Sequence, residues 1–284
     1  MMQPPITALL RGQLDQMGAT KRRLAQVILD DPGRVSRMSI QALAEAAGVS
    51  QASVTRFCRS LELDGYAQLR LALAAESVRG EPVPAEGDIA EGDDLASVVS
   101  KIVRLDAQAV TDTAQVMSLA TLELAIDALS RARRIDVYGV GASAIVGADL
   151  AQKLTRIGRP CVAYGDAHLG LTSAALLGPD DAVVAVSHSG TTADTLDMVR
   201  TAKAGGAATI AVTNDPHSEL ASTVDHVLLT AAQESVFRSG ATASRLAQLL
   251  VVDCMFVGLA QRTFQASQLA LESTWRAVRH RANR

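Results

Sequence analysis

Apolar and polar positions follow two different periodicities along the chain, and the change between them falls near residue 80. Before it, apolar residues recur every three or four positions in short segments, which predicts a group of short helices. After it, short apolar runs alternate with longer helical patterns. This alternation is typical of a parallel sheet, so we expect an all-α part followed by an α/β part.

The predicted strands are short, apolar and followed by small or polar residues, at 135–140, 160–164, 182–187, 208–213 and 226–229. Helical patterns cover 95–117, 119–131, 144–157, 191–204, 216–222 and 241–261. Strands that are buried on both faces read as continuous apolar runs. The pattern therefore predicts a doubly wound, five-stranded parallel sheet with helices on both faces.

The stretch RGEPVPAEGDIAEGDD, residues 79–94, contains two prolines and three glycines and almost no apolar residues, which is typical of a linker. We expect domains at 1–79 and 94–284, joined by a linker at 80–93. Residues 1–79 carry ten basic and seven acidic residues, whereas the remainder carries seventeen and twenty-three. A basic head on an acidic body favours a DNA-binding domain joined to a domain with another role.

The composition excludes several classes of protein. The three cysteines and five histidines are scattered without paired spacing, so we expect isolated thiols and neither a disulfide framework nor a metal site. The N-terminus has no pattern of a secretion signal, and Asp253 interrupts the most apolar late run. We therefore expect no membrane span and a cytoplasmic protein.

The segment MSIQALAEAAGVSQASVTRFCRSLELDGYAQLRLAL, residues 38–73, predicts two helices joined by a tight turn. Gly48 stands where the first helix needs a left-handed residue to end, and Ser50 is placed to cap a second helix that begins at Gln51. Val54, Phe57 and Leu61 point inward by their spacing. The opposite face would then be free to contact a partner.

That second helix is suited to lie in a DNA major groove. Short polar side chains can read base edges, and arginines can hold phosphates. The candidate DNA-binding residues are Ser50, Gln51, Ser53, Thr55, Arg56 and Arg59, and Lys21, Arg22 and Arg23 on a preceding helix are candidates for further phosphate contacts. The alternative is a small helical bundle that contacts another protein, in which the arginines form a solvated face.

Residues 38–73 resemble the helix-turn-helix domain of the RpiR/MurR family of bacterial transcriptional regulators, including the trailing DGYAQLR helix. The family more usually has Gly-Phe where Glu62 and Leu63 stand. This departure concerns the packing after the second helix. The resemblance implies a regulator that binds DNA.

Two crossings from strand to helix are rich in small and hydroxyl residues. GVGAS, residues 139–143, follows the first predicted strand, and SHSGTT, residues 187–192, follows the third. Backbone N–H groups at helix N-termini favour anions, and a crevice at the carboxyl ends of strands is where α/β sheets bind ligands. SHSGTT has no cation, which suits a monophosphate on a neutral sugar. The alternative is that these hydroxyls only cap helices.

Nucleotide sites of the common kinds are disfavoured. GVGAS lacks the third glycine of a dinucleotide fingerprint, and no acidic residue closes the following strand. No Gly-Lys-Ser/Thr sequence occurs, so a Walker-type site is disfavoured as well. We expect no cofactor.

Residues from about 95 to 260 resemble the SIS (sugar isomerase) domain. The resemblance implies that Ser187, Ser189, Gly190 and Thr192 clasp the phosphate of a phosphosugar. It also implies that Gly141 and Ser143, in a turn that begins at Gly139, approach the phosphate or the sugar, and that His188 lines the pocket without a catalytic role.

Glu234 lies where isomerising relatives carry an acid–base glutamate, although its spacing from the helix at 243–245 is longer than in those enzymes. The alternative is a loop carboxylate that contacts a ligand hydroxyl or Arg238. Aldose–ketose isomerisation needs a second group to help open the ring, and no histidine or lysine obviously supplies it.

Three hypotheses follow: a phosphosugar-controlled regulator of sugar or amino-sugar metabolism genes, a phosphosugar isomerase or lyase with a helical head, and a regulatory subunit that binds another protein. A helix-turn-helix, a linker and a phosphosugar pocket without a full catalytic set favour the first, which is not an enzyme. We expect a dimer or tetramer on a palindromic operator, with the helices at 95–117 and 241–261 contributing either to the interface or to the domain core.

Overall fold

The computed structural model describes residues 5–77, 89–234 and 243–282. They form two compact units. The first comprises residues 5–77, 89–116 and 231–234, and the second comprises residues 117–230 and 243–282. The domain boundaries expected at 79 and 94 stay a prediction, because most of the linker, residues 80–88, lies outside the described residues.

The described part of the first unit is helical, as its apolar periodicity predicts. Its helices are α1 (Ile6–Gln13), α2 (Ala19–Asp30), α3 (Pro32–Val35), α4 (Ile40–Ala46), α5 (Gln51–Ser60), α6 (Tyr66–Ser77) and α7 (Leu95–Val116), with a 3-10 turn at Leu14–Gln16. Buried side chains from α1, α2, α4, α5 and α6 form one core, at whose centre are Leu10, Leu24, Leu43, Phe57 and Leu69.

The second unit is an α/β/α sandwich. Its strands are β1 (Arg134–Tyr138), β2 (Cys161–Tyr164), β3 (Asp181–Val186), β4 (Ala208–Thr213) and β5 (His226–Leu229). Its helices are α8 (Leu119–Arg131), α9 (Ala142–Arg156), α10 (Ala167–Ala174), α11 (Ala193–Ala204), α12 (Glu219–Thr223), α13 (Ala243–Arg262) and α14 (Phe264–Ala282). All described strand pairs are parallel, in the order β2-β1-β3-β4-β5.

Strand β3 shows how one apolar run serves two cores. Successive side chains of a strand point to opposite faces. Ala182, Val184 and Val186 join a core shared with α8, α9 and α13. Val183 and Ala185 join a second core with α10 and α11. The sheet is therefore covered on both faces, which confirms the predicted fold class.

The predicted strands are confirmed with boundaries within two residues of those observed. Helices α10 and α14 were not predicted. The glycine that obscures the helical pattern of α10 is required by packing. A Cβ at Gly170 would lie 2.0 Å from the Met198 sulfur on α11. Glycine weakens a helical pattern, but here it allows the two helices to approach closely.

Helix α13 is long and apolar enough to cross a membrane by length and composition alone, with a mean hydropathy of 1.5. The core helix of a soluble protein passes the same test. Val251, Val252, Met255 and Leu259 are buried in the core of the second unit. These contacts account for the apolar character of α13.

Candidate functional site

The two hydroxyl-rich loops leave the same edge of the sheet from neighbouring strands. Tyr138 at the end of β1 pairs with Ala185 near the end of β3. Strand β1 connects through α9 to β2 on one side, whereas β3 connects through α11 to β4 on the other. A crevice forms where connections diverge in this way, and doubly wound sheets bind their ligands there.

The GVGAS loop needs both of its glycines. Gly141 is the N-cap of α9 with φ +62° and ψ −125°. Residues other than glycine rarely adopt this backbone conformation. A Cβ at Gly139 would lie 2.8 Å from the carbonyl oxygen of Ser143. As a glycine, Gly141 has no side chain to cap α9, so it leaves the first amides of the helix to other acceptors. Ser143 is half-buried in the first turn.

The SHSGTT loop is closed by its own hydroxyls. Ser187 is 3% exposed. Its Oγ accepts a hydrogen bond from the Gly190 N–H (3.1 Å) and lies 3.2 Å from Thr192 Oγ1. The exposed Ser189 accepts from the Thr191 N–H (3.3 Å) and hydroxyl (3.0 Å). These bonds close the loop into a turn whose serines lie at different depths.

Thr192 bears on the alternative that these hydroxyls only cap helices. It occupies the N-cap of α11 but makes no side-chain capping bond. Ser118 and Ser218 show what capping looks like in this unit, since each accepts a bond from a backbone N–H three residues later. The Thr192 hydroxyl instead faces Ser187, so simple capping does not explain it.

The chain after β4 supports the loop, and sequence reasoning missed it. A Cβ at Gly190, where φ is +64°, would lie 2.2 Å from the Ser218 hydroxyl oxygen. The Asn214 N–H donates to the His188 carbonyl at 3.0 Å, and the Thr213 hydroxyl donates to the same oxygen at 3.3 Å. These two hydrogen bonds therefore fix the backbone carbonyl of half-buried His188. The sequence could have indicated this support, because Thr213 ends an apolar strand and Asn214 follows it directly.

The end of β2 contributes to the same edge of the sheet. The Gly139 N–H donates to the Tyr164 carbonyl at 3.3 Å, so the chain after Tyr164 begins beside the GVGAS loop. Asp166 caps α10 by accepting from the Leu169 N–H at 2.9 Å. His168 is exposed in the first turn of α10. His168 was not among the predicted site residues, because β2 and α10 lie apart from the two hydroxyl loops along the chain.

A buried polar cluster anchors the strand that carries the GVGAS loop. Tyr138, the last residue of β1, donates its hydroxyl to Asp136 Oδ2 at 3.2 Å. Burial and the neighbouring Asp136 carboxylate raise the pKa of the Tyr138 phenol. The phenol therefore stays protonated and remains a hydrogen-bond donor at physiological pH. Arg134 pairs with the same carboxylate through Nε at 2.9 Å.

Glu234 belongs to the first unit, whereas both hydroxyl loops belong to the second. Its backbone N–H donates to Asp15 Oδ2 at 3.1 Å. Nearby, the Ala231 N–H donates to Thr113 on α7 at 3.0 Å. The expected ligand contact of Glu234 stays a prediction, and Arg238 lies outside the described residues.

The helix-turn-helix forms as its sequence predicts. Gly48 adopts φ +62°, the Val49 N–H donates to the Ala44 carbonyl at 2.9 Å, and the Gly48 N–H donates to Glu45 at 3.1 Å. These are the two bonds of a Schellman C-cap. Ser50 then caps α5 by accepting from the Ser53 N–H at 3.2 Å.

The outer face of α5 differs in part from the prediction. Gln51, Arg56 and Arg59 are exposed as expected, and so is Ser50, whereas Val54 and Phe57 are buried. Ser53 and Thr55 were expected to be exposed but are half-buried. The Thr55 hydroxyl donates to the Gln51 carbonyl (3.2 Å), and Ser53 accepts from Arg56 Nη2 (3.2 Å). Local helix hydrogen bonds thus compete for these two hydroxyls.

Lys21, Arg22 and Arg23 are exposed on α2. Arg22 also donates to the backbone carbonyls of Leu14 (3.2 Å) and Asp15 (2.6 Å). Its guanidinium therefore has a structural role in the turn between α1 and α2.

The fold and its two candidate sites define a class of protein with a helix-turn-helix head and a sugar-isomerase type of α/β domain. Comparison with known families agrees with this. The family model described as "Helix-turn-helix domain, rpiR family" matches residues 6–79, and the SIS domain model matches residues 128–258. A solved structure of the Vibrio vulnificus NanR protein complexed with ManNAc-6P is 28% identical, with a TM-score of 0.61, and the match covers 95% of this chain and 98% of that one.

Curated relatives point the same way. An uncharacterized HTH-type transcriptional regulator of Caldanaerobacter subterraneus subsp. tengcongensis is 37% identical over 95% of both chains. The HTH-type transcriptional regulator YbbH of Bacillus subtilis is 31% identical over 95% of this chain and 96% of its own. The chain belongs to the RpiR family of helix-turn-helix transcriptional regulators. Its N-terminal domain binds DNA, and its α/β domain is an SIS domain that senses a sugar phosphate.

Proposed function

We propose that this regulator controls genes of sugar or amino-sugar metabolism and that a phosphosugar binds in the crevice between the GVGAS and SHSGTT loops. The observation that carries the proposal is the Thr192 hydroxyl, which pairs with Ser187 instead of capping α11. Two helix N-termini beside this hydroxyl pair supply amides and positive dipole ends for a phosphate. Gly141, Ser143, Ser189 and Gly190 complete the proposed phosphate site, and His188 lines it.

The sugar is best sought among amino-sugar 6-phosphates. The NanR structure that resembles this chain contains ManNAc-6P. SHSGTT offers hydroxyls and amides but no cation, which suits the phosphate of an otherwise neutral sugar. Keto-deoxy sugar-acid phosphates are the second class, because Arg245 in the first turn of α13 is a candidate partner for a carboxylate.

We infer that the protein senses its ligand and does not convert it. Isomerisation needs a base over the reacting carbons and a second group for ring opening. Glu234 is the candidate base, and its backbone is bound by Asp15 in the helix-turn-helix unit. A regulator of this kind works in the cytoplasm, where DNA and phosphosugars meet.

On the DNA side, we propose that α5 enters the major groove with Gln51, Arg56 and Arg59 outward. Ser50, Ser53 and Thr55 lie at the start of α5 and would contact the DNA there. A lone helix-turn-helix binds weakly, and two heads on half-sites one DNA turn apart bind a palindrome. We therefore propose a homo-oligomer, at least a dimer.

A thermal-shift screen tests the effector site. We expect an amino-sugar 6-phosphate to raise the melting temperature of the wild-type protein and the unphosphorylated sugar to leave it unchanged. Ser187→Ala should abolish the shift. Ser118→Ala is the matched control, because the Ser118 hydroxyl accepts from the N–H and the hydroxyl of Thr121 at the start of α8 in the same unit, so this variant should melt lower and keep the full shift. Equal loss of the shift in both variants would contradict the site.

A gel-shift titration tests the DNA interface with the region upstream of the protein's own gene. Arg56→Ala and Arg59→Ala should each weaken binding, and a lost phosphate contact should reduce the salt slope by about one. Arg156→Ala, an exposed arginine at the end of α9, should bind normally. Turnover of a hexose phosphate at enzyme-like rates, together with no DNA binding, would favour the isomerase hypothesis instead.

A further inference from the structure

The segment 230–234 follows the last strand of the sheet, and its first three residues are buried although they form no helix or strand. Thr230, Ala231 and Ala232 are each at most 2% exposed. Connecting segments normally run over the surface, because buried backbone groups need hydrogen-bond partners. The boundary between the two compact units falls between Thr230 and Ala231, so a peptide bond of this segment joins the units. Each side of that bond is held by its own unit.

On the side of the second unit, the segment is bonded to the chain that supports the SHSGTT loop. The Thr230 hydroxyl donates to Asn214 Oδ1 at 3.1 Å, and the Thr230 N–H donates to the Thr213 carbonyl at 2.9 Å. Thr213 and Asn214 in turn donate to the His188 carbonyl in the loop. Thr213, Asn214 and Thr230 are buried. Buried hydrogen bonds of this kind change together, because a group that loses its partner would be left unsatisfied.

On the side of the first unit, the segment is held by α7. The Ala231 N–H donates to the Thr113 hydroxyl at 3.0 Å, and Thr113 is fully buried. Asp112, the residue before Thr113, binds Arg11 on α1. Helix α1 packs in the same core as Phe57, on the inner face of α5. Hydrogen bonds and packing thus connect Ala231 to the helix that is proposed to contact DNA.

We propose that segment 230–234 couples phosphosugar binding at the SHSGTT loop to DNA binding by α5. This rests on the proposed function and names the route of its regulation. A phosphate held by the loop changes the position of the loop, and the bonds from His188 to Thr230 carry the change to the Thr230–Ala231 peptide bond. Thr113 then passes it to α7 and α1. Two sites coupled in this way change each other's affinity by the same factor, typically about 5- to 150-fold.

The competing route is the connection from α7 to α8, where the two units are also joined, between Val116 and Met117. Ser118 beside this connection is exposed, and its hydroxyl binds the N–H and the hydroxyl of Thr121 in the first turn of α8. These bonds remain local to the start of α8. The bonds of segment 230–234 are buried and lead to the SHSGTT loop, which makes this segment the better route.

Thr113→Val tests the route in the full-length protein, because valine keeps the shape of threonine and removes the hydroxyl that holds the Ala231 N–H. Fluorescence anisotropy measures the affinity for DNA from upstream of the protein's own gene, with and without saturating ManNAc-6P. We expect DNA affinity to change at least about fivefold in the wild-type protein and less than about twofold in Thr113→Val. Thr230→Val, which removes the bond to Asn214, should reduce the change in the same way. Both variants should still bind DNA alone and keep the melting-temperature shift with ManNAc-6P.

Two other threonines are matched controls. Thr111 is exposed on the same helix α7, and its hydroxyl donates to the Ala107 carbonyl at 2.9 Å. Thr209 on β4 is as buried as Thr113, and its hydroxyl donates to Asp225 at 2.7 Å. Thr111→Val should keep both the stability and the coupling, whereas Thr209→Val should lower the melting temperature and keep the coupling. Loss of coupling in Thr209→Val to the same extent as in Thr113→Val would overturn the route.

Hydrogen exchange gives a second readout that needs no sugar. Because coupling between sites is reciprocal, DNA should change the exchange of the amides at 187–192 in the wild-type protein and in Thr111→Val, but not in Thr113→Val. Coupling that survives in Thr113→Val and Thr230→Val would overturn this route and favour the α7–α8 connection. A wild-type protein that binds DNA and ManNAc-6P without mutual effect overturns the coupling and leaves both binding sites intact. A protein that binds neither overturns the proposed function as well.

Discussion

Arg11 on α1 binds Asp112 on α7 through two parallel hydrogen bonds, one from Nε to Oδ2 and one from Nη2 to Oδ1 at 2.8 Å. Asp112 is 1% exposed and also accepts from Gln108 at 2.7 Å. The pair joins the first helix of the helix-turn-helix unit to a helix that follows the predicted linker. Because neighbouring Thr113 holds the Ala231 N–H, α7 contacts both the head and the chain that leaves β5.

Arg11→Ala should therefore lower the free energy of unfolding of this unit by about 1.5–3 kcal/mol, the range for hydrogen bonds to a charged group. The variant leaves the Asp112 carboxylate buried with only Gln108 beside it. Urea denaturation measures the change. Arg200→Ala is the control, because the Arg200–Glu219 pair is about half exposed and should contribute under about 1 kcal/mol. Equal losses of unfolding free energy in Arg11→Ala and Arg200→Ala would contradict a larger contribution from the buried Arg11–Asp112 pair.

Glu62 ends α5 in the left-handed conformation, with φ +59°. The Leu63 N–H donates to the Cys58 carbonyl at 3.1 Å, as in a Schellman turn, and Leu63 is buried. Left-handed backbone costs a residue with a side chain about 1–2 kcal/mol. Glu62→Gly should therefore raise the melting temperature of the head, and Gly48→Ala, at the corresponding turn of α4, should lower it. A destabilised Glu62→Gly variant would contradict this account.

Gln248 on α13 is 1% exposed, and within the described residues neither polar atom of its side chain has a hydrogen-bond partner. An unsatisfied buried group costs about 1–3 kcal/mol. Gln248→Leu should stabilise the protein in urea denaturation by an amount of this order. Thr195→Val on α11 removes a buried hydroxyl that also has no hydrogen-bond partner in the part of the chain that the structure describes, and it should act in the same direction. Loss of the effector shift in Gln248→Leu would assign this amide to ligand binding instead.

Gly190 holds the SHSGTT loop against Ser218. Gly190→Ala adds strain at a positive φ and a contact shorter than real Cβ atoms show, so the loop must move. We expect a lower melting temperature and no shift with the phosphosugar. Gly178→Ala has open space around its Cβ and should change neither quantity much. A normal ligand shift in Gly190→Ala would exclude the loop from the site.

Asp181 at the start of β3 is fully buried at its side chain and paired with Arg133 Nη2 at 2.9 Å. The Arg133 guanidinium holds the pKa of this carboxyl below its usual value. A carboxyl whose pKa is lower in the folded than in the unfolded protein stabilises the fold at pH values above its ordinary pKa of about 4. This stabilisation is lost as the pH falls through the pKa of the folded state. The deficit of Asp181→Asn should be largest near neutral pH and shrink in acid. A deficit independent of pH would contradict the charge effect.

Much of this protein follows from its sequence. The five strands were predictable because each is a short apolar run of the kind that a doubly covered sheet requires. The turn at Gly48 and the cap at Ser50 were predictable because they depend on neighbours within a few residues. The hydroxyl loops were visible for the same reason, since a strand, a turn and a helix start follow one another along the chain.

Other features depend on residues far apart in the chain. Asn214 and Ser218 support a loop that begins at Ser187, and Gly170 is needed because Met198 lies against it. Thr192 looks like an ordinary helix cap in the sequence, and only its contact with Ser187 distinguishes it from Ser118. Local rules of capping and periodicity thus determine the elements and the class of protein. Tertiary packing decides which hydroxyls cap helices and which do not, because that choice depends on contacts that no local pattern records.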